Sequence, residues 1–218
     1  MTERIYLERH ILQGNNEYAG QNRERLQRSG VLTLNLLSSP GAGKTTMLEN
    51  LVATIKNDVD LAVIEGDVAT TIDSERIAAH GVPAYQINTH GACHLDARMI
   101  GQVLEQIELD GLDLLIIENV GNLVCPADFD LGEDLRIVLL STTEGVDKVM
   151  KYPVVFRRAD AVVLTKVDLL PYVSFDLETF KADVHALNPD VPIFPVAALQ
   201  EQGTKEWIEW LVSKIARE

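Results

Sequence analysis

The chain has 218 residues, 46% hydrophobic and 24% charged, with 19 basic residues against 33 acidic ones for a net charge of −14. At about 150 residues per domain, that length predicts one domain with a full core and, beyond it, only a short arm. The acidic balance argues against non-specific binding to DNA, RNA or anionic lipid, which rests on Lys and Arg neutralising phosphates. Two cysteines, Cys93 and Cys125, are too few for a disulfide scaffold. Residues 1–30 are polar and carry acids, so no signal-like apolar segment is expected there. No run approaches the ~20 apolar residues that span a bilayer. These features predict a cytoplasmic protein without nucleic-acid or membrane partners.

In chain order, residues 1–30 carry Arg4, Arg9, Arg23, Arg25 and Arg28 around a Gly14-Asn15-Asn16 interruption. They are expected to form two short helices, a helical arm on a domain of residues 31–218. Short apolar runs at 31–37, 61–65, 84–87, 114–117, 137–140, 161–164 and 193–196 predict strands buried on both faces. Helical patterns lie between them at 45–56, 74–79, 95–107, 174–187 and 205–216. This alternation predicts an α/β fold, a mostly parallel sheet with helices on both faces. Such sheets bind ligands beyond the carboxyl ends of their strands, which directs attention to the residues after each apolar run.

After the first strand comes Ser38-Ser39-Pro40-Gly41-Ala42-Gly43-Lys44-Thr45-Thr46. The pattern G-x-x-x-x-G-K-[ST] marks a phosphate loop, and here only its first Gly is replaced, by Ser38. Gly41 and Gly43 let the backbone around Ala42 turn its N–H groups toward a phosphate. The helix that follows adds the positive end of its dipole. Lys44 can bridge the β- and γ-phosphates, and the Thr45 hydroxyl can ligate Mg²⁺.

The sixth strand runs into Thr165-Lys166-Val167-Asp168. The Asp168 carboxylate can accept two hydrogen bonds from guanine, at N1–H and the 2-amino group, a pair that adenine lacks. Lys166 can lay its alkyl stem along the base. Thr165 stands where GTPases usually carry Asn. Ala197 and Ala198, after the last strand, occupy the approximate place of a loop under the base. Glu118, at the end of the fourth strand, is placed to act near Mg²⁺ and its water, and Gly121 to offer its N–H to the γ-phosphate. Asp67 and Asp73 flank Val68-Ala69-Thr70-Thr71-Ile72; either suits Mg²⁺ or water positioning, and Asp67 equally suits a local cap.

Cys93 and His94 follow the third strand and Cys125 follows the fourth, so both cysteines fall at the nucleotide edge of the sheet. Two thiolates with an imidazole suit Ni²⁺ or Zn²⁺. A fourth position is left to water, His90 or a second subunit. His10, His80 and His185 fall elsewhere and read as solvated or capping.

These segments resemble the hydrogenase nickel-incorporation GTPases of the HypB type, in the nucleotide-dimerised branch of P-loop proteins. The resemblance spans Ser39-Pro40-Gly41-Ala42-Gly43-Lys44-Thr45-Thr46, Glu65-Gly66-Asp67, Cys93-His94-Leu95-Asp96-Ala97 and Thr165-Lys166-Val167-Asp168. Its most specific run is Glu118-Asn119-Val120-Gly121-Asn122-Leu123-Val124-Cys125-Pro126. It implies Ni²⁺ or Zn²⁺ on Cys93, His94 and Cys125 at a dimer interface, and an Mg²⁺ ligand or catalytic acid at Asp73. It further implies a GTP-favoured homodimer, a nickel-delivery partner protein and the hydrogenase large subunit as recipient. Neither switch segment presents an obvious catalytic Gln, so hydrolysis of GTP to GDP is expected to be slow. Three family features are missing: an N-terminal Cys-x-x-Cys-Gly-Cys site, a His-rich stretch, and a further His at the position of Arg98. Nickel transfer, not storage, is therefore expected. The rival readings are a urease-type nickel GTPase, an ATP-dependent small-molecule kinase or ligase on the same loop, and a metal chaperone with a vestigial nucleotide site.

Overall fold

The computed structural model describes residues 2–68 and 72–215, with side chains from residue 12 onward. Ala69, Thr70 and Thr71, Ala216, and the side chains of Arg4, Arg9 and His10 lie outside the described residues. Seven strands form the sheet: β1 (Leu32–Ser38), β2 (Leu61–Asp67), β3 (Ala84–Asn88), β4 (Leu114–Glu118), β5 (Leu135–Ser141), β6 (Ala161–Thr165) and β7 (Ile193–Val196). Their order is β3-β2-β4-β1-β5-β6-β7, and every pairing is parallel. The helices are α1 (Thr2–Arg28), α2 (Lys44–Ile55), α3 (Ile72–Ala78), α4 (Ala97–Leu104), α5 (Lys148–Lys151), α6 (Pro153–Arg157), α7 (Leu177–Leu187) and α8 (Thr204–Ile215). No helix among the described residues is long and apolar enough to cross a membrane.

The continuous apolar runs reflect burial from both sides. On one face Leu34 and Leu36 of β1 pack with Met47, Leu48 and Leu51 of α2 and Trp207 of α8. On the other, Leu37 joins Val138, Phe156 and Phe180, while Ile64 and Ile117 meet Leu26 of α1 and Ile100 of α4. The two edge strands depart from the expected double burial: β3 is half-buried or exposed, and β7 is half-buried up to Val196.

The N-terminal residues also differ from expectation. Instead of two short helices, one helix runs through Gly14, Asn15 and Asn16. Gly and Asn weaken a helix by up to about 1 kcal/mol each. Here tertiary bonds offset that: Asn15 Oδ1 accepts from Ala97 N at 2.9 Å and its Nδ2 donates to Asp130 O at 2.7 Å. α5 and α6 had no sequence signal, being only a turn or so long. Pro153 opens α6, and a proline's missing N–H and fixed φ suit a helix start and not its interior.

Register places the chemistry. Glu65 is paired with Glu118, and Leu36 with Glu118 on the other side, so β1, β2 and β4 end together at one edge. The order around β1 is also the point where chain progression reverses direction, where an α/β sheet opens a crevice.

Candidate functional site

A cavity of about 560 Å³ opens at that edge, lined by the turn from Pro40 through Thr46, by Glu65, Asp67, Asp73 and Arg76, and by Glu118 through Gly121. The turn between β1 and α2 is a backbone cradle. Gly41 has φ +76° and Gly43 φ +92°, in the left-handed region that side chains avoid. Ser38, the departure from the usual glycine, is still strand, and its hydroxyl anchors the loop lysine: Lys44 Nζ donates to Ser38 Oγ at 3.0 Å. Gly121 lies directly against this loop, since a Cβ there would stand 3.0 Å from Pro40 Cα.

Lys44 Nζ is 3.8 Å from Glu118 Oε1, and Thr45 Oγ1 donates to the same oxygen at 3.0 Å. Glu118 Oε2 and Glu65 Oε1 are buried without a hydrogen-bond partner. Burial and the neighbouring Glu118 push the Glu65 carboxyl up to about 9. Burial raises Glu118 as well, opposed by Lys44 and the Thr45 hydroxyl. Two buried, oxygen-rich groups beside a threonine hydroxyl are a donor set that fits a hard divalent cation such as Mg²⁺. Asp73 lines the cavity and accepts from Arg76 Nη1 at 3.2 Å, while Arg76 Nε donates to Glu49 at 3.1 Å. Asp67 also lines it, and its carboxylate accepts from the adjacent Val68 N–H, a local turn contact.

A second, largely apolar pocket of about 260 Å³ adjoins the first, lined by Thr46, Thr165, Lys166, Asp168 and Ala198 among others. Lys166 (φ +58°) reaches across the phosphate loop, its Nζ donating to Gly41 O at 2.7 Å. Thr165 Oγ1 donates to Ala42 O at 2.5 Å, so the threonine that replaces asparagine still ties the two loops. Asp168 is half-exposed, and Gln200 Nε2 donates to its Oδ2 at 3.3 Å. Ala197 is buried and its N–H is taken by Gln202 O at 2.9 Å, leaving Ala198 to face the pocket.

Among the described residues, Cys93, His94 and Cys125 bring their ligand atoms within 4.8 Å of one another. Both thiols are free, and Cys93 Sγ is 3.6 Å from His94 Nδ1. Burial lowers the His94 pKa and so favours the neutral, ligating imidazole, whose ring packs 4.0 Å from that of Phe129. Cys125 beside it raises the Cys93 thiol, as does burial. His90 is exposed and falls outside the set; His185 bonds Val191 O at 3.2 Å, and His80 accepts Lys56 through its carbonyl.

Sequence reasoning missed four contributors. Glu65 falls in a segment that carries the family resemblance but has no role assigned by sequence; its position opposite Glu118 exists only through register. Arg76 and Gln200 are polar residues with no motif of their own. Glu144 accepts from the Ser39 hydroxyl of the phosphate loop across 105 residues of sequence.

A parallel sheet with this loop, an adjoining pocket that bears Asp168 and a nearby cluster of two thiols and an imidazole defines a P-loop nucleotide-binding protein with a candidate metal site. Residues 32–195 match the model of the CobW/HypB/UreG nucleotide-binding domain. The hydrogenase maturation factor HypB of Azotobacter chroococcum is 50% identical over 208 residues, which cover 95% of this chain and 68% of that relative. The structure of HypB from Archaeoglobus fulgidus superposes with a TM-score of 0.87 at 42% identity, covering 93% of this chain and 99% of the other. That of HypB from Helicobacter pylori, in complex with nickel, does so with a TM-score of 0.88 at 43% identity, covering 93% and 95%. The chain belongs to the CobW/HypB/UreG family, on its HypB branch.

Proposed function

We propose that this protein is a slow GTPase that carries nickel in the cytoplasm and helps insert it during maturation of nickel–iron hydrogenase. One observation carries the reading: the segment from Glu118 to Cys125 leaves the nucleotide cavity, rests on the phosphate loop at Gly121, and ends in a metal-ligand candidate. Lys44, Thr45 and the loop N–H groups hold the phosphates, and Lys166 and Asp168 select guanine. Thr45 with Glu118 or Asp73 would hold Mg²⁺, which would supply charge neutralisation for phosphoryl transfer. Glu118, with Glu65 behind it, orients the attacking water. No glutamine among the described residues lines the cavity, which supports slow turnover.

Cys93, His94 and Cys125 hold the cargo, nickel, with zinc able to take the same ligands. A three-ligand cluster that is partly open, with Cys93 exposed and His94 and Cys125 half-buried, suits release to a partner or sharing with a second subunit, hence a GTP-favoured homodimer acting with a nickel-delivery protein on the hydrogenase large subunit. In this reading residues 1–30 form an arm on the GTPase domain of residues 31–218; the packing of α1 on α4 supports it. Phosphate release from GTP, with ATP as competitor and with or without Ni²⁺, tests the reading. GTP-specific turnover is expected, falling by about 10²–10³-fold in Lys44→Ala. Equal use of ATP, or full activity in that variant, would overturn it.

A further inference from the structure

Two asparagines flank Gly121, and both reach the turn that carries Cys93 and His94. Asn119 is 1% exposed; its Oδ1 accepts from Leu95 N at 3.1 Å and from its own Val120 N at 2.9 Å. The amide cannot turn over without setting its NH₂ against those two donors. Its Nδ2 donates to Asn35 Oδ1 at 3.3 Å, and Asn35 Nδ2 donates to the buried carboxylate of Glu133 at 3.3 Å. Donation thus runs in one direction along this buried relay toward an anion, which fixes the Asn119 side chain. Asn122 is half-buried: its Oδ1 accepts from Val124 N at 2.9 Å, and its Nδ2 donates to Cys93 O at 3.2 Å.

The residues that hold Asn119 and Asn122 thus include Cys93 and Leu95, on either side of His94, and Val124, just before Cys125. Neither asparagine belongs to the cluster of ligand atoms. We infer that Asn119 and Asn122 are positioning residues of the metal site, fastening the Cys93–Leu95 turn to the segment that carries Glu118 and Gly121. This rests on the metal reading above and names the connection by which the nucleotide state reaches the ligands. A shift of Gly121 toward a γ-phosphate moves both side chains, and with them His94 and both cysteines. Ligand distances hold to about 0.2 Å in working sites, so small shifts change affinity. Outer partners of ligands are typically worth about 10–100-fold in metal affinity.

The test titrates Ni²⁺ into the full chain loaded with GDP or with a non-hydrolysable GTP analogue, following thiolate-to-nickel charge-transfer absorption. Asn122→Ser keeps an acceptor for Val124 N–H but cannot reach Cys93 O. It is expected to weaken nickel binding by about 10–100-fold and to bring the affinities of the two nucleotide states together. Its thermal melt and GTP affinity should stay as in the unsubstituted chain, since Asn122 does not line the cavity. Asn119→Ala is expected to lose nickel in the same way, with circular dichroism and a cooperative thermal melt reporting that it is folded. Absence of the absorption band in the unsubstituted chain would overturn the metal reading itself. If the band is present, equal nickel affinity in both nucleotide states, or an Asn122→Ser protein indistinguishable from the unsubstituted chain, would overturn this inference alone.

Discussion

Glu65 and Glu118 show how one residue's neighbour changes its chemistry. Burial raises both carboxyls, and the neighbouring Glu118 raises Glu65 further, from 4.5 to about 9. Between those values the folded state binds more protons than the unfolded chain, so stability falls as pH rises. The melting temperature of nucleotide-free protein should decline across that range. Glu65→Gln should flatten the decline and add about 1–3 kcal/mol toward its alkaline end, by removing a buried unpaired charge. A melting temperature that climbs with pH there would contradict the pairing. At the base pocket, Asp168→Asn exchanges an acceptor for a donor at the guanine 2-position. Competition binding should show weaker GTP and stronger xanthosine triphosphate binding, and unchanged GTP affinity would place the base elsewhere.

At the scale of elements, α1 is bonded into the sheet domain and not merely laid on it. Asn22 is buried and its Nδ2 donates to Ala97 O at 2.7 Å and Leu131 O at 3.0 Å. Arg23 Nη2 binds Asp130 Oδ1 at 2.7 Å. Ala97 opens α4, and Asp96 caps it by accepting Met99 N–H at 2.8 Å. The helix after the Cys93–Leu95 turn is therefore held from both sides. Asn22→Ala removes the donor to two carbonyls and should cost about 1–3 kcal/mol in chemical denaturation; a change below a few tenths would show that these two bonds contribute nothing to the fold.

At the scale of the molecule, nucleotide and metal are coupled only if each site changes the other's affinity by one factor. For a typical coupling of about 1–3 kcal/mol, nickel and the GTP analogue should each strengthen or weaken the other by roughly 5–150-fold. Isothermal titration in both orders measures the two factors, and unequal factors would reveal an unrecognised third state. The exposed apolar side chains Val68, Ile72 and Val124 lie beside residues of the cavity and of the cysteine cluster, as a nucleotide-favoured dimer contact would need. Light scattering should show a larger dimer fraction with the GTP analogue than with GDP; equal fractions would remove dimerisation from the cycle.

What could be read in the chain was what local order dictates. Strand–loop–helix around Gly41, Gly43 and Lys44, the Lys166–Asp168 spacing, and seven apolar runs all follow from neighbours in sequence. So does the parallel sheet, because βαβ alternation leaves few other arrangements. The cysteines and His94 were legible as candidates, since the carboxyl ends of the strands lie on one edge. Register, burial and distant hydrogen bonds were not legible. They place Glu65 against Glu118, carry α1 unbroken through Gly14, and join Asn119 to Leu95 across 24 residues. A hydrogen bond between distant residues leaves no periodicity behind it, and a carboxyl's affinity for its proton depends on what surrounds it in space. The tertiary structure alone decided those.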